Sequence, residues 1–241
     1  MAYVRGTSPD AIIHCAAYTA VDKAEEDIVR CIAINGGGTN NMVRAAQAVE
    51  AKLLYVSTDY VFPGEGVDPY PTDAPKGPKN IYGQSKLQGE MAVMSQMTSF
   101  FIVRTSWVFG LNGGNFVRTM LRLGAERDEV NVVSDQIGSP TYSWDLARLL
   151  IDMIETDRYG VYHATNEGFC SWMEFAEAIM EEAGLDCIVY PVRTSEYKTA
   201  ARRPLNSRLS KDSLDAAGFE RLPRWEDALE RYLGELDREQ P

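Results

Sequence analysis

The chain has 241 residues, 45% of them hydrophobic and 10% aromatic, enough for a sizeable folded core and unlike a disordered segment. Acidic residues outnumber basic ones by 35 to 24, and the net charge of -11 argues against a nucleic-acid-binding face. No apolar run approaches the ~18 residues of a membrane span, and no basic-then-apolar leader opens the chain, so a cytoplasmic protein without membrane contact is expected.

Residues 11–17, AIIHCAA, form a short apolar run that ends in small side chains, the pattern of a buried parallel strand. Two helices follow, VDKAEEDIVRCIAIN and TNNMVRAAQAVEA, separated at Gly36–Gly38. KLLYVST (52–58) is the next strand. A loop rich in Pro, Gly and Asp (59–79) leads to a helix that opens NIYGQSKLQGE (80–90). FFIVRTS (100–106) is the third strand and GGNFVRTMLRLGAE a further helix. Alternation of strand and helix predicts an α/β fold, a doubly wound parallel sheet with helices on both faces.

Beyond residue 126 the rhythm loosens. EVNVVS, GVYHAT and CIVYPV read as short strands, and SWDLARLLIDMIET, SWMEFAEAIMEEAG and RWEDALERYLGEL as helices. These segments suggest a smaller α/β lobe above the C-terminal ends of the main strands, where open α/β sheets bind ligands. The expected division is a dinucleotide-binding domain over 1–110 with about 143–165, and a substrate lobe over about 111–142 and 166–241.

Cys15, Cys31, Cys170 and Cys187 form no Cys-x-x-Cys pair, and His14 and His163 are the only histidines. Metal ligation needs tighter clustering, so no metal site is expected and the thiols read as buried and reduced. A Ser-His-Asp or Cys-His mechanism is equally ill-served. Against the acidic background, KTAARRPLNSR (198–208) gathers Lys198, Arg202, Arg203 and Arg208, a local patch suited to a small anion such as a phosphate.

The chemistry centres on Tyr82 and Lys86, one helical turn apart. A phenol titrates near pH 10 and is a sluggish acid at neutrality, and a neighbouring ammonium is expected to lower it. The phenol then protonates a carbonyl oxygen as hydride reaches the carbon. Thr58, after the second strand, stands where a hydroxyl would hold that oxygen. Hydride itself requires a nicotinamide. Singly, a strand-end Thr is an ordinary local cap and Trp107 an ordinary core side chain; together with the pair they make a reaction centre.

Tyr-x-x-x-Lys with an earlier strand-end Ser/Thr resembles the extended short-chain dehydrogenase/reductase superfamily. AAYTAVDKAEED, VSTDYVFPG, NIYGQSKLQGE, RTSWVFG, VVSDQIGSPTY and RRPLNSRL follow the order and spacing of dTDP-4-dehydrorhamnose reductases, from about Pro9 to the C-terminus. The resemblance implies a Rossmann-type sheet and Thr58, Tyr82 and Lys86 as catalytic residues. It puts Ala16, Ala17, Tyr18 and Ser57 beside the cofactor with Tyr82 and Lys86, the cofactor being NADPH with NADH as the alternative. Val21, Tyr60 and Trp107 would border the deoxysugar, and Asn115, Gln136, Arg202 and Arg203 would lie towards the nucleotide. The implied reaction reduces dTDP-4-dehydro-L-rhamnose to dTDP-L-rhamnose, by a monomer or homodimer. Competing readings are a non-catalytic relative, like the regulatory subunit of methionine adenosyltransferase, and another sugar-nucleotide reductase or epimerase; STDYVF and RTSWVFG tell against the latter.

The family also carries a strand, a Gly-x-x-Gly-x-x-Gly turn and a helix that hold the cofactor pyrophosphate. Roughly 40 to 60 residues of that kind have no counterpart here, and GGGTNN (36–41) has neither the spacing nor the preceding strand. The sheet is therefore expected to be incomplete at its N-terminal side, with the 11–15 strand presenting an open apolar edge. Titration of this chain with NADPH is expected to show weak binding or none; a micromolar constant would refute that.

Overall fold

The computed structural model describes residues 2–239. Its strands are β1 (Ala11–His14), β2 (Lys52–Thr58), β3 (Phe100–Thr105), β4 (Val108–Phe109), β5 (Glu129–Val133), β6 (Ile137–Gly138), β7 (Thr141–Tyr142), β8 (Gly160–His163), β9 (Cys170–Ser171) and β10 (Ile188–Val192). Its helices are α1 (Ala2–Thr7), α2 (Val21–Ala24), α3 (Ile28–Ile32), α4 (Thr39–Gln47), α5 (Ile81–Gln96), α6 (Phe116–Glu126), α7 (Ser143–Ile154), α8 (Trp172–Glu182), α9 (Asp212–Ala217) and α10 (Trp225–Glu239).

The main sheet is parallel throughout, in the order β1-β2-β3-β8. Successive side chains face opposite layers. Leu54, Phe101 and Val103 pack against Leu146, Leu149, Leu150 and Met153 of α7. Leu53, Tyr55 and Ile102 pack against Val43 and Ala46 of α4 and Val93 of α5. Both faces are thus covered, the reason that KLLYVST and FFIVRT read as unbroken apolar runs. The outer edge of β1 has no partner strand among the described residues, and Ile13 on it is 39% exposed.

Two expectations change. Gly36–Gly38 do not separate two helices: α3 passes through a π-helical turn, Ala33–Gly38, straight into α4. In that turn the Asn35 side chain is buried and serves other chain segments. Its oxygen accepts from the Tyr18 amide at 2.7 Å, and its NH2 donates to Tyr18 O at 3.1 Å and Ser85 Oγ at 2.9 Å. The second change concerns residues 212–222, expected in the small lobe. Leu214, Phe219 and Leu222 bury their side chains in the α7 layer of the main sheet instead, because α9 docks beside β8.

The small lobe has its own core. Val117 and Met120 of α6, Val130 and Val132 of β5, Phe175 and Ile179 of α8, and Leu229 and Tyr232 of α10 enclose it. Trp172 starts α8 immediately after a reciprocal capping box between Ser171 and Glu174, which satisfies two end amides. Among the described residues no helix is long and apolar enough to cross a membrane, and no group of three or more His, Cys, Asp or Glu side chains could hold a metal ion. Cys31, Cys170 and Cys187 are buried free thiols; Cys15, expected among them, is exposed at the end of β1.

One charged cluster lies fully inside the main domain. Arg104 of β3 and Glu90 of α5 are 1% and 0% exposed and form a bidentate pair, Nε to Oε1 at 2.8 Å and Nη2 to Oε2 at 2.7 Å. Ser57 Oγ donates to Glu90 Oε1 at 2.6 Å, and Arg104 Nη1 donates to Thr72 O at 2.8 Å. Arg104 Nη1 also reaches His163 Nε2 at 3.2 Å. A guanidinium has no acceptor, so His163 Nε2 accepts and its proton sits on Nδ1, which donates to Ser210 O at 3.1 Å. Burial, with Arg104 adding to it, lowers His163 to about 3, so the ring stays neutral. Removing one member of such a pair strands the other in a low-dielectric interior. Glu90→Gln is expected to cost about 3–5 kcal/mol in denaturant unfolding, and the double change Glu90→Met/Arg104→Met much less than the two singles summed. A Glu90→Gln cost under about 1 kcal/mol, the usual worth of a surface pair, would show that the pair is not what holds α5 to the sheet.

Candidate active site

The ends of β1, β2 and β3 open onto a cavity of about 710 Å³ that Thr58, Tyr82 and Lys86 all line. Their placement begins with α5. Asn80 caps it, accepting from Gly83 N at 2.8 Å, and ties it to the basic loop by donating to Arg202 O at 2.9 Å. Gly83 and Gly89 lie so close to Tyr60 O and the Tyr55 hydroxyl that a Cβ at either position would overlap them. Small residues there let α5 sit down on the end of β2, which brings its Tyr82–Lys86 face to Thr58.

Lys86 is 3% exposed. Its ammonium donates to Val56 O at 2.7 Å and lies 4.0 Å above the Tyr55 ring. Desolvation lowers it to about 7, with Glu90 one turn further along α5 opposing the shift. The Tyr82 phenol is pushed well above its ordinary value by burial; the neighbouring Thr58 hydroxyl pulls it down, while Asp59 and Tyr60 push it further up. The sequence expectation had Lys86 lowering the phenol. Here the ammonium faces Val56 O and the Tyr55 ring, and the phenol is governed by its enclosure and by Thr58.

Of the other expected residues, Ala17, Val21, Ser57, Tyr60, Trp107 and Arg203 line the same cavity. The Ser57 hydroxyl is already committed to Glu90. Ala16 is exposed beside Ala17. Tyr18 turns away: its amide is held by Asn35, and its hydroxyl donates to Asp27 at 3.4 Å. Gln136 lines a second cavity of about 420 Å³ and donates to Thr194 Oγ1 at 3.0 Å. Arg203 borders both cavities, giving one hydrogen bond to the Tyr60 hydroxyl at 3.2 Å and pairing with Asp22. Two further placements differ from expectation. Asn115 caps α6, accepting from Arg118 N at 3.0 Å and donating to Gly110 O at 2.8 Å, and borders neither cavity. Arg202 points outward to Glu65 at 3.4 Å.

Several lining residues carry no sequence signal for this role. Trp172 stacks on Trp107 with ring centroids 3.7 Å apart and planes 14° from parallel, and Phe116 packs on Trp172 at 4.5 Å. Trp172 and Phe116 border both cavities. Trp107 adopts φ 51°, a left-handed conformation costly for a bulky side chain. Trp172 packs against it there, and Trp172 with Phe116 forms the wall that the two cavities share. Asp59, next to Thr58, is 4% exposed and lines the first cavity.

The residues present fit the nicotinamide end of the expected cofactor. The wall beside β1 is made of Cys15 and Ala17, small enough for a flat ring to approach. Lys86 makes one hydrogen bond among the described residues, leaving two of its three ammonium protons for ribose hydroxyls.

Comparison with known proteins gives one consistent relationship. Residues 1–238 match the family described as RmlD substrate binding domain. The spore coat polysaccharide biosynthesis protein SpsK of Bacillus subtilis is 44% identical over 94% of this chain and 80% of its own length. The dTDP-4-dehydrorhamnose reductase of Escherichia coli K12 is 38% identical over 97% of this chain and 82% of its own. Among solved structures, the dTDP-4-dehydrorhamnose reductase of Bacillus anthracis in complex with NADP superposes with a TM-score of 0.95 and 47% identity, covering 97% of this chain and 83% of that one. A parallel Rossmann-type sheet, an enclosed Thr–Tyr–Lys centre and these matches along nearly the whole chain agree: it belongs to the RmlD substrate-binding-domain family.

Proposed function

We propose that the protein reduces the 4-keto group of dTDP-4-dehydro-L-rhamnose to give dTDP-L-rhamnose, with NADPH as reductant. The observation that carries this reading is a single cavity lined by Thr58, Tyr82 and Lys86 and joined through Arg203 to a second one. A sugar nucleotide has that two-part shape, with its anionic diphosphate in the middle. The keto sugar occupies the first cavity against Trp107, Val21 and Tyr60. The nucleotide extends into the second, past Gln136, with the diphosphate at Arg203 between them.

NADPH, when bound, supplies the hydride. Tyr82 donates the proton that the reduced oxygen requires, and Thr58 bonds the same oxygen as charge develops on it. Lys86 orients the cofactor ribose and, with a value brought down to about 7, gains or loses its own proton near neutrality. Burial of the phenol keeps Tyr82 protonated until an acceptor arrives. Trp107 and Trp172 exclude water from the sugar side by stacking. On this reading the protein works in the cytoplasm, as a monomer or homodimer, on a small molecule.

Supplying dTDP-4-dehydro-L-rhamnose and NADPH to the chain joined to the family's strand–glycine turn–helix unit, and following NADPH loss, tests the reading; no turnover from that well-folded protein would sink it. Tyr82→Phe is expected to lower turnover by about 10²–10⁴-fold, and a near-normal rate would mean the acid lies elsewhere. Arg203→Met is expected to raise KM for the sugar nucleotide by about 10-fold or more, the worth of a charge-assisted hydrogen bond, with a smaller change in kcat. A kcat effect alone would place the diphosphate away from Arg203.

A further inference from the structure

A threonine hydroxyl has one proton to give. The proposed reaction requires Thr58 to give it to the substrate's carbonyl oxygen. In this structure Thr58 gives it to its neighbour: Oγ1 donates to Asp59 Oδ1 at 3.0 Å. The Thr58 oxygen itself accepts from the Tyr60 amide at 3.3 Å. Asp59 Oδ2 takes the Ser207 hydroxyl, and Asp59 has no Lys, Arg or His within ion-pair distance among the described residues. Asp59 therefore competes for the one proton that Thr58 needs, from a carboxylate that is almost completely enclosed.

Resting on the sugar-nucleotide reading above, we propose that Asp59 is a positioning residue for Thr58. Ionised, it holds the hydroxyl's proton away from the cavity. As the anionic substrate enters, Asp59 takes up a proton from solvent and releases the Thr58 hydroxyl to the carbonyl oxygen. Protonated on Oδ1, the carboxyl donates to Thr58 Oγ1 instead of accepting from it, so the Thr58 proton is freed without moving the backbone, while Oδ2 goes on accepting from Ser207.

The surroundings favour this exchange. Burial already pushes Asp59 up to about 6, against hydrogen bonds from Ser207 and Thr58 that favour the ionised form. Tyr82 of α5 and Tyr60 of its own turn face it as neutral phenols. Arg203 stands behind Tyr60, paired to Asp22, and Lys86 lines the same cavity with its ammonium on Val56 O. A diphosphate at Arg203 and a sugar displacing water from the cavity both act to raise Asp59 further, into the neutral range.

Calorimetric titration with a dTDP-hexose, a diester without its own ionisation near neutrality, in buffers of different ionisation enthalpy measures proton uptake on binding. Wild type is expected to take up roughly half a proton or more near pH 7, the consequence of a rise of about one to two units. Lys86 titrates in the same range, so the comparison with Asp59→Asn isolates the Asp59 share, which is expected to disappear in that variant. Ser207→Ala keeps the carboxyl but removes one bond to its ionised form, and is expected to move the uptake to higher pH. Unchanged uptake in Asp59→Asn, or an unmoved profile in Ser207→Ala, overturns the assignment while leaving the sugar-nucleotide reading intact. No binding of the dTDP-hexose to wild type overturns both.

Discussion

The bidentate pair between Arg104 and Glu90 is the constraint from which the geometry of this protein follows. Both groups are sealed inside, where an unmatched charge is far costlier than a hydrogen bond is favourable. Glu90 must therefore meet Arg104, and that fixes the rotation of α5 about its axis and its height on β2 and β3. Lys86 is one turn back along the same helix, and Tyr82 two turns. Once Glu90 is seated, the ammonium lies against Val56 O and the phenol against Thr58 with no further adjustable element. Ser57 adds its hydroxyl to Glu90, so the residue before Thr58 is tied to the same pair.

Around that frame the site is built from groups whose charged forms are disfavoured by burial. Burial raises the phenols of Tyr82, Tyr60 and Tyr55 and the carboxyl of Asp59, and lowers Lys86. Arg203, which also faces the cavity, is matched by Asp22. A site of this kind has groups near the balance point between their charged and neutral forms, whose protons can move by small changes in hydrogen bonding. Polar groups in such surroundings interact more strongly than in water.

The basic loop joins the two halves of the molecule. Arg203 reaches Tyr60 and Asp22, Ala201 donates to Asp22 at 3.1 Å, Asn80 donates to Arg202 O, and Ser207 donates to Asp59. Most of these partners stand at the end of β2, in α2 or at the start of α5, so the loop that carries Arg203 also touches the turn that carries Thr58. The stacked Trp107–Trp172 pair closes the other side, one ring from the main domain and one from the small lobe.

Much of this was open to reading in the chain itself. Strands buried on both faces leave continuous apolar runs, helices announce themselves by caps such as Asn80 and Ser171, and a phenol and ammonium four residues apart share a face by helical geometry alone. Those are local properties, repeated every two or every 3.6 residues. The lobe boundary at 212–222, the uninterrupted helix through Gly36–Gly38 and the inward turn of Arg203 but not Arg202 are not local in that sense. Each depends on what lies opposite when the chain has closed. The same holds for the chemistry. That Tyr82, Lys86 and Thr58 belong together was written in their types and spacing. That Lys86 faces Val56 O, that Trp172 stacks on Trp107, and that Ser207 reaches Asp59 across 148 residues of chain was decided only by the tertiary fold, because a hydrogen bond or a ring stack reads distance in space and carries no trace of itself in sequence.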